Sequence, residues 1–198
     1  MTRGASAWLA VAALLGACAL AGWAVPHESI DWQPALAFAQ PWRALSAVGV
    51  HYSAQHLAAN LGGVLLAGAF GLVARVPVRL AWAWLAAWPL THIGLLLKPE
   101  LAHYGGLSGV LHAGVAIVIT FLLITGTRAQ RAVAAAVLIG FGAKLLNEAP
   151  WGEALRHPAG WDIAIAPLAH TTGAIAGAAC AVIALLWPHQ TASPPHHA

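Results

Sequence analysis

Two short stretches of the sequence could supply a nucleophile and its base. Ser108 lies between Gly106 and Gly109 at the start of an apolar run, which leaves its hydroxyl unobstructed. A free hydroxyl is a poor nucleophile at neutral pH and needs a base to activate it. His170 stands near the start of the last apolar run, on the same helical face as Gly173, and could be that base. Taken alone, the glycine-flanked Ser108 is more typical of an ordinary helix cap, and His170 of a structural histidine.

Three groups could bind an oxyanion beside this serine. His56 and Asn60 are four residues apart, so they share one face of a helix. The backbone N–H of Ser108 lies in a first helical turn and lacks a partner within its own helix. Such donors stabilise the negative charge that develops during acyl transfer. The alternative for His56 and Asn60 is that they bond to each other or to nearby backbone.

A carboxylate partner for the base is not expected. No Asp or Glu falls inside an apolar run, which argues against a buried triad and predicts a Ser–His dyad. Lys144 and Glu148, four residues apart, are expected to form an ion pair at the membrane interface, with a role in shaping the substrate entrance as the alternative. Further residues that could line a substrate cavity or contact substrate are Gly106, Leu107, His112, His103 and Tyr104.

The composition shows what kind of molecule must position these residues. Of the 198 residues, 60% are hydrophobic and only 8% are charged, against roughly 25% charged in soluble domains. The chain has too few polar residues to cover a water-facing surface, which excludes a disordered chain, a coiled coil and nearly any soluble enzyme. The nine Lys and Arg are scattered, so the net charge of +3 does not indicate nucleic-acid binding. Cys18 and Cys180 lie in apolar runs and are interpreted as small hydrophobic residues.

Six runs approach the roughly 20 apolar residues that a membrane-spanning helix needs. They lie near Ala5–Val25, His56–Ala74, Leu80–Leu97, Leu107–Gly126, Arg131–Leu146 and Leu168–Trp187. The first could be a signal peptide, but it continues beyond Cys18, which favours a retained span. The sequence therefore predicts an all-α polytopic membrane protein with a single domain over residues 1–187. Residues 188–198 are expected to form a short disordered cytoplasmic tail.

Charged residues predict the orientation of these spans. The short connections 75–79 and 127–131 carry four arginines. All acidic residues fall on the other side: Glu28, Asp31, Glu100, Glu148, Glu153 and Asp162. The positive-inside rule then places both termini in the cytoplasm. The candidate residues all lie in the outer half of their spans, so their site is expected to open to the outer side.

Together these residues resemble the motifs of the rhomboid intramembrane serine proteases. The matching stretches, in chain order, are Trp42-Arg43, His51 with His56 and Asn60, Gly106-Leu107-Ser108-Gly109, and Ala169-His170 with Gly173 and Gly177. They are similar to the family's W-R pair, its H-x-x-x-x-H-x-x-x-N pattern, its G-x-S-x motif and its A-H-x-x-G motif. Their order, their assignment to helices two, four and six, and their common depth make the set more specific than any one motif.

The resemblance implies a six-helix bundle with Ser108 as nucleophile and His170 as general base. It implies that His56 and Asn60 help to bind the oxyanion, and that Trp42-Arg43 and His51 belong to a structural outer loop. Substrates would be transmembrane segments of proteins that enter laterally from membrane lipid, while water reaches the site from outside. No nucleic-acid partner is expected.

A subgroup resemblance narrows the expected substrate. The stretch Gly106–His112 and the pair Lys144 and Glu148 are similar to the rhombosortases, which are bacterial and linked to processing of C-terminal Gly-Gly anchors of exported proteins. This resemblance implies the bacterial inner membrane, with the active site facing the periplasm.

Two other classes of protein stay open at this point. Eleven histidines could indicate a haem or metal protein. However, no span carries two deep histidines at haem spacing, and no His, Cys and carboxylate cluster has zinc-like spacing, so no metal and no cofactor are expected. A non-catalytic scaffold that recognises transmembrane helices would have the same fold, because a dyad can exist without turnover.

Overall fold

The protein is all-helical over residues 1–187, the part of the chain that this computed structural model describes. Six helices are long and apolar enough to cross a membrane. They are α1 (Arg3–Gly22), α2 (Ala54–Ala74), α3 (Val78–Ile93, continued to Leu97 by a 3₁₀ turn), α4 (Ser108–Thr125), α5 (Arg128–Asn147) and α6 (Pro167–Leu186). These bounds lie within a few residues of the predicted spans and confirm an all-α, membrane-embedded bundle. The tail that was predicted to be disordered lies outside the described residues.

Helix α4 lies at the centre of the bundle, where it packs against α2, α3, α5 and α6. Its closest contact is with α6. A Cβ on Gly173 would overlap the carbonyl oxygen of Gly109, and a Cβ on Gly177 would overlap that of Ala113. Small residues at such contacts let the backbones of membrane helices approach closely. The separation of α4 and α6 is therefore set by backbone atoms.

Two buried tryptophans connect the first four helices. Trp8 of α1 stacks on Trp84 of α3, with ring centroids 4.3 Å apart. The indole N–H of Trp8 donates to the carbonyl of Ala67 in α2 at 3.0 Å, and that of Trp84 to the carbonyl of Val110 in α4 at 2.8 Å. A buried indole needs such an acceptor, so each ring both fills the core and sets the position of a neighbouring helix.

Helix α5 is packed far more loosely. It begins with a capping box between Thr127 and Gln130, and none of its residues has a positive φ. Among its residues, all of which the structure describes, only Ala134 is buried. A largely apolar helix with so little buried surface is suited to a lipid environment, where its exposed side chains contact acyl chains.

The segment between α1 and α2 forms a compact layer over one end of the bundle. It contains the short helices His27–Ile30 and Arg43–Ser46. The buried Arg43 pairs with the buried Asp31 at 2.9 Å and also donates to the Asp31 carbonyl oxygen. His103, from the segment before α4, lies 2.6 Å from the second oxygen of Asp31. Arg43 is therefore buried in an ion pair within this layer, while Trp42 is half-exposed.

Backbone hydrogen bonds from this layer position the start of α4. Trp32 and Tyr104 exchange two backbone hydrogen bonds of 2.7 and 2.8 Å, and the N–H of Gly106 donates to the carbonyl of Ala47 at 2.9 Å. Gly106 has φ of 138°, a conformation that side chains disfavour, and a Cβ there would lie 3.0 Å from the ring of His56. A glycine is thus required immediately before the helix that presents Ser108.

Candidate active site

Ser108 and His170 are in direct contact. Ser108 is the first residue of α4, and His170 lies in the first turn of α6, which begins at Pro167. Because Gly173 packs directly on Gly109, the two first turns lie side by side. The distance from Ser108 Oγ to His170 Nε2 is 2.9 Å. A hydroxyl at this distance can donate its hydrogen to an imidazole nitrogen, which is the geometry that general-base activation needs.

A carboxylate contacts the other side of the same imidazole. Oε2 of Glu148 lies 2.7 Å from Nδ1 of His170. An ionised carboxylate only accepts hydrogen bonds, so Nδ1 carries the hydrogen and Nε2 is left to accept from Ser108. The prediction that no carboxylate accompanies the dyad is wrong. Glu148 is not within a span; it caps the C-terminus of α5, and that end reaches the level of the dyad.

Lys144 and His112 complete a cluster around His170. Nζ of Lys144 lies 2.7 Å from Glu148 Oε1, the expected ion pair, and 2.9 Å from His112 Nε2. Nδ1 of His112 lies 2.6 Å from the carbonyl oxygen of Ser108. Since that carbonyl accepts, His112 donates from Nδ1 and accepts from the lysine at Nε2. Its ring stacks on the His170 ring, with centroids 4.2 Å apart.

The charge state of Glu148 follows from these neighbours. Partial burial raises the pKa of Glu148, but hydrogen bonds and charge interactions with His170 and Lys144 outweigh burial and hold the pKa at about 2. The carboxylate is therefore ionised at neutral pH, as the hydrogen-bond directions require.

The cluster opens on a cavity of about 640 Å³. The cavity is bordered by α2, α4, α5, α6 and the segment that joins α5 to α6. Its polar lining includes His56, Asn60, Ser108, His112, Lys144 and His170. Most of its exposed lining is apolar, from residues such as Leu66 and Phe141. Such a mixture of apolar walls and a few convergent polar groups is typical of a binding site.

Two residues of the α2 wall each have a buried side-chain nitrogen without a partner. Within residues 1–187, Nδ2 of Asn60 has no hydrogen-bond acceptor, and Nδ1 of His56 has no hydrogen-bond partner. The N–H of Ser108 is at the first helical position, where no intrahelical acceptor exists. A buried, unpaired donor costs about 1–3 kcal/mol. A developing oxyanion beside Ser108 would give these donors an acceptor.

The other four residues proposed for a substrate cavity are not among those that border it. Gly106 forms the turn against His56, and Leu107 is fully buried in the core. His103 pairs with Asp31 instead. Tyr104 is buried and pairs with Trp32 of the segment between α1 and α2; burial raises its pKa to about 12, so the phenol stays protonated. Of that set, His112 alone is among the residues that border the cavity.

Two more histidines, His51 and His92, are buried and do not border the cavity. His92 is fully buried, and its Nδ1 lies 2.6 Å from the carbonyl oxygen of Ala44. His51 is buried beside His56, with ring centroids 4.8 Å apart. Burial lowers the pKa of His51, which keeps the ring neutral.

The sequence missed the cavity wall that follows α5. Arg156, His157 and Trp161 border the cavity from this segment. Nothing in their spacing indicated this, because the segment is irregular. For Glu148 one signal was present: it lies four residues after Lys144, on the helical face that bears the lysine.

Two further findings concern metal ligands and similarity to known proteins. Within residues 1–187, no group of three or more His, Cys, Asp or Glu side chains converges as metal ligands do. No family model, curated protein or solved structure matches the chain.

Proposed function

We propose that this protein is an intramembrane serine protease of the rhomboid type. The observation that carries the proposal is the 2.9 Å contact between Ser108 Oγ and His170 Nε2 at the wall of a cavity among membrane-spanning helices. Support also comes from His56 and Asn60, which border the same cavity and each have a buried side-chain nitrogen without a hydrogen-bond partner within residues 1–187. A purely structural serine cap would not require a histidine on its hydroxyl or unsatisfied donors nearby.

The chemistry would follow that of other serine proteases. Oγ of Ser108 attacks the carbonyl carbon of the scissile peptide while Nε2 of His170 accepts the hydroxyl proton. The tetrahedral oxyanion accepts hydrogen bonds from the Ser108 N–H, Asn60 and His56. Collapse of this intermediate breaks the C–N bond, and the leaving amine takes the proton from His170. Water, deprotonated by His170, then hydrolyses the acyl-enzyme.

The substrates would be transmembrane segments, cut near the outer face of the membrane. The cavity lies at the end of the bundle that carries the long connections, whereas the arginine-bearing short connections lie at the other end. We infer cytoplasmic termini and a site that faces the periplasm of a bacterial inner membrane. Reporter fusions after Arg79 and Arg131 should report cytoplasm, and fusions within 28–40 and 153–160 the outer side. An outer signal after Arg79 would overturn this orientation.

A fluorophosphonate probe tests the enzymatic proposal. Such a probe phosphonylates an activated serine and spares an inert one. The purified protein should be labelled, and peptide mapping should place the label on Ser108. Labelling should vanish in Ser108→Ala and persist in Ser29→Ala, whose hydroxyl bonds only to a nearby carbonyl at the exposed surface. A folded protein that is not labelled would instead support a non-catalytic scaffold.

The substrate class requires a separate comparison. Cells that contain the wild-type protein and cells that contain Ser108→Ala should differ in the C-terminal peptides of exported proteins. If Gly-Gly anchors are substrates, their processed termini should disappear in the variant. Unchanged termini would exclude this class of substrate without affecting the labelling result.

A further inference from the structure

Both carboxylate oxygens of Glu148 are used in the site. Oε2 contacts Nδ1 of His170 at 2.7 Å, and Oε1 contacts Nζ of Lys144 at 2.7 Å. We propose that Glu148 is a positioning residue that completes a Ser–His–Glu triad, with Lys144 as its counterion; this inference rests on the proposed function. The Ser–His dyad that the rhomboid resemblance implies would then be extended in this protein by a residue from the end of α5.

The segment after α5 supplies the means of holding Glu148 in place. A helix C-terminus leaves carbonyl groups without partners. The guanidinium of Arg156 donates to the carbonyls of Asn147 at 3.0 Å and Glu148 at 2.8 Å. The backbone of Arg156 in turn exchanges two hydrogen bonds with Ile165, of 2.9 and 2.8 Å. Ile165 lies two residues before the start of α6, so Arg156 joins the helix end that carries Glu148 to the helix start that carries His170.

The same contacts determine which nitrogen of His170 faces the serine. Glu148 accepts from Nδ1–H, so the lone pair of Nε2 points to Ser108. His112 lies parallel to the His170 ring, with 12° between the planes, and is itself oriented by the Ser108 carbonyl oxygen and by Lys144. The ring therefore has a carboxylate at one edge, a serine at the other and a second imidazole on its face. Orientation of this kind is what the acid of a Ser–His–Asp triad provides.

Charge balance around His170 gives the inference a specific consequence. The charged or titratable groups that face His170 are His112 of α4, Lys144 and Glu148 from α5, and His56 of α2 at a greater distance. Helix α3 also packs on α6, but its His92 bonds to the carbonyl oxygen of Ala44 instead. Nζ of Lys144 is 3.4 Å from Nδ1 of His170. Glu148 favours the imidazolium that forms during catalysis, whereas Lys144 opposes it.

Removing the carboxylate alone should therefore be worse than removing it together with the lysine. Glu148→Gln leaves an uncompensated ammonium beside the base. We expect the Ser108 labelling rate to fall between about 10² and 10⁴-fold, the upper figure being that for the equivalent change in a Ser–His–Asp triad. The acid limb of the pH–rate profile should move to lower pH, because the imidazolium loses its partner. The double variant Glu148→Gln and Lys144→Met should be labelled faster than Glu148→Gln alone, and its acid limb should lie closer to that of the wild type.

Three controls separate this role from a structural one. Glu100→Gln removes a carboxylate from another Lys–Glu pair, 3.5 Å apart in the outer connection, and should leave the rate unchanged. Glu148→Asp keeps the charge and should retain the acid limb of the wild type. Ser108→Ala reports on the proposed function itself.

The outcomes distinguish the two proposals. A Glu148→Gln protein with the wild-type rate and acid limb would overturn the triad while Ser108 labelling still supports the protease. A loss of rate without movement of the acid limb would also overturn it, because that pattern indicates less folded protein. A double variant no faster than Glu148→Gln would overturn the role of Lys144 as counterion. If the Ser108→Ala variant is still labelled, Ser108 is not the reactive serine and the proposed function is wrong.

Discussion

The α4–α6 contact and helix α5 are packed in opposite ways, although both bring side chains to the same cavity. Between α4 and α6 a single added Cβ at Gly173 or Gly177 would overlap backbone oxygen. In α5, Gly140 and Gly142 have no atom within 4 Å of an added Cβ. The distance between nucleophile and base is thus determined by backbone contact. The position of Glu148 depends instead on an ion pair, on hydrogen bonds and on Arg156.

This difference separates two kinds of contribution to one site. In a membrane, helices are held together by close packing and hydrogen bonds, because lipid removes the hydrophobic drive between them. The α4–α6 pair uses close packing, which determines the backbone positions of Ser108 and His170. The end of α5 lacks such packing and uses charged groups. Substitutions in the first region should change geometry, and those in the second should change charge balance and pH dependence.

A large effect on rate is expected for Asn60, whose unpaired side-chain nitrogen belongs to the α2 wall of the cavity. Asn60→Ala removes a hydrogen bond that would form only with the oxyanion. Loss of such a donor costs about 2.7–4 kcal/mol, or roughly 10²–10³ in rate. The melting temperature should not fall, since Nδ2 of Asn60 has no acceptor within the described chain. Cleavage or labelling rates together with thermal unfolding in detergent measure both quantities.

Asn147→Ala is the matched control, because it removes an amide that borders the same cavity from α5. Its rate should stay near that of the wild type. If both variants are equally slow, or if Asn60→Ala unfolds the protein, the assignment of Asn60 to the oxyanion is wrong.

A methyl group between α4 and α6 should have the next largest effect. Gly173→Ala must push the helices apart, which costs about 1–3 kcal/mol of stability. It should also lengthen the Ser108–His170 distance, and a misplacement of about 1 Å can cost around 10²-fold in rate. Gly142→Ala adds the same methyl group to α5 where space is open, so activity should be unchanged. Equal activity of the two variants would contradict the difference in packing.

The smallest effect concerns the pH dependence of stability at the end of α5. The pKa of Glu148 is lowered from 4.5 to about 2, so its stabilisation is fully present above the ordinary value and is lost as pH falls through the lowered one. Because Glu148 is partly exposed, solvent screening limits this contribution to no more than about 1 kcal/mol. The difference in melting temperature between wild type and Glu148→Gln should narrow from neutral pH towards about pH 2. A constant difference would show that the carboxylate is not stabilised as the structure indicates.

The sequence predicted the fold and the motif residues because each leaves a local signal. Apolar runs separated by arginines locate the spans, and glycines around Ser108 and after His170 indicate where helices begin and approach each other. The spacing of Lys144 and Glu148 indicated their ion pair but not the contact of Glu148 with His170, which depends on how far α5 extends and how its end meets α6. His103 and Tyr104 precede Ser108 in sequence but do not border the cavity. Their contacts with Asp31 and Trp32 join segments far apart in the chain, so the sequence did not indicate them.

The central claim is that Ser108 and His170 act as one unit, and a double-mutant cycle on substrate cleavage tests it most directly. Groups that act together lose nearly all of their effect when either is removed. We predict that Ser108→Ala and His170→Ala each abolish cleavage in folded protein, and that the double variant is little worse than either one. A folded single variant that still cleaves at near the wild-type rate, or two partial losses that multiply in the double variant, would contradict the account.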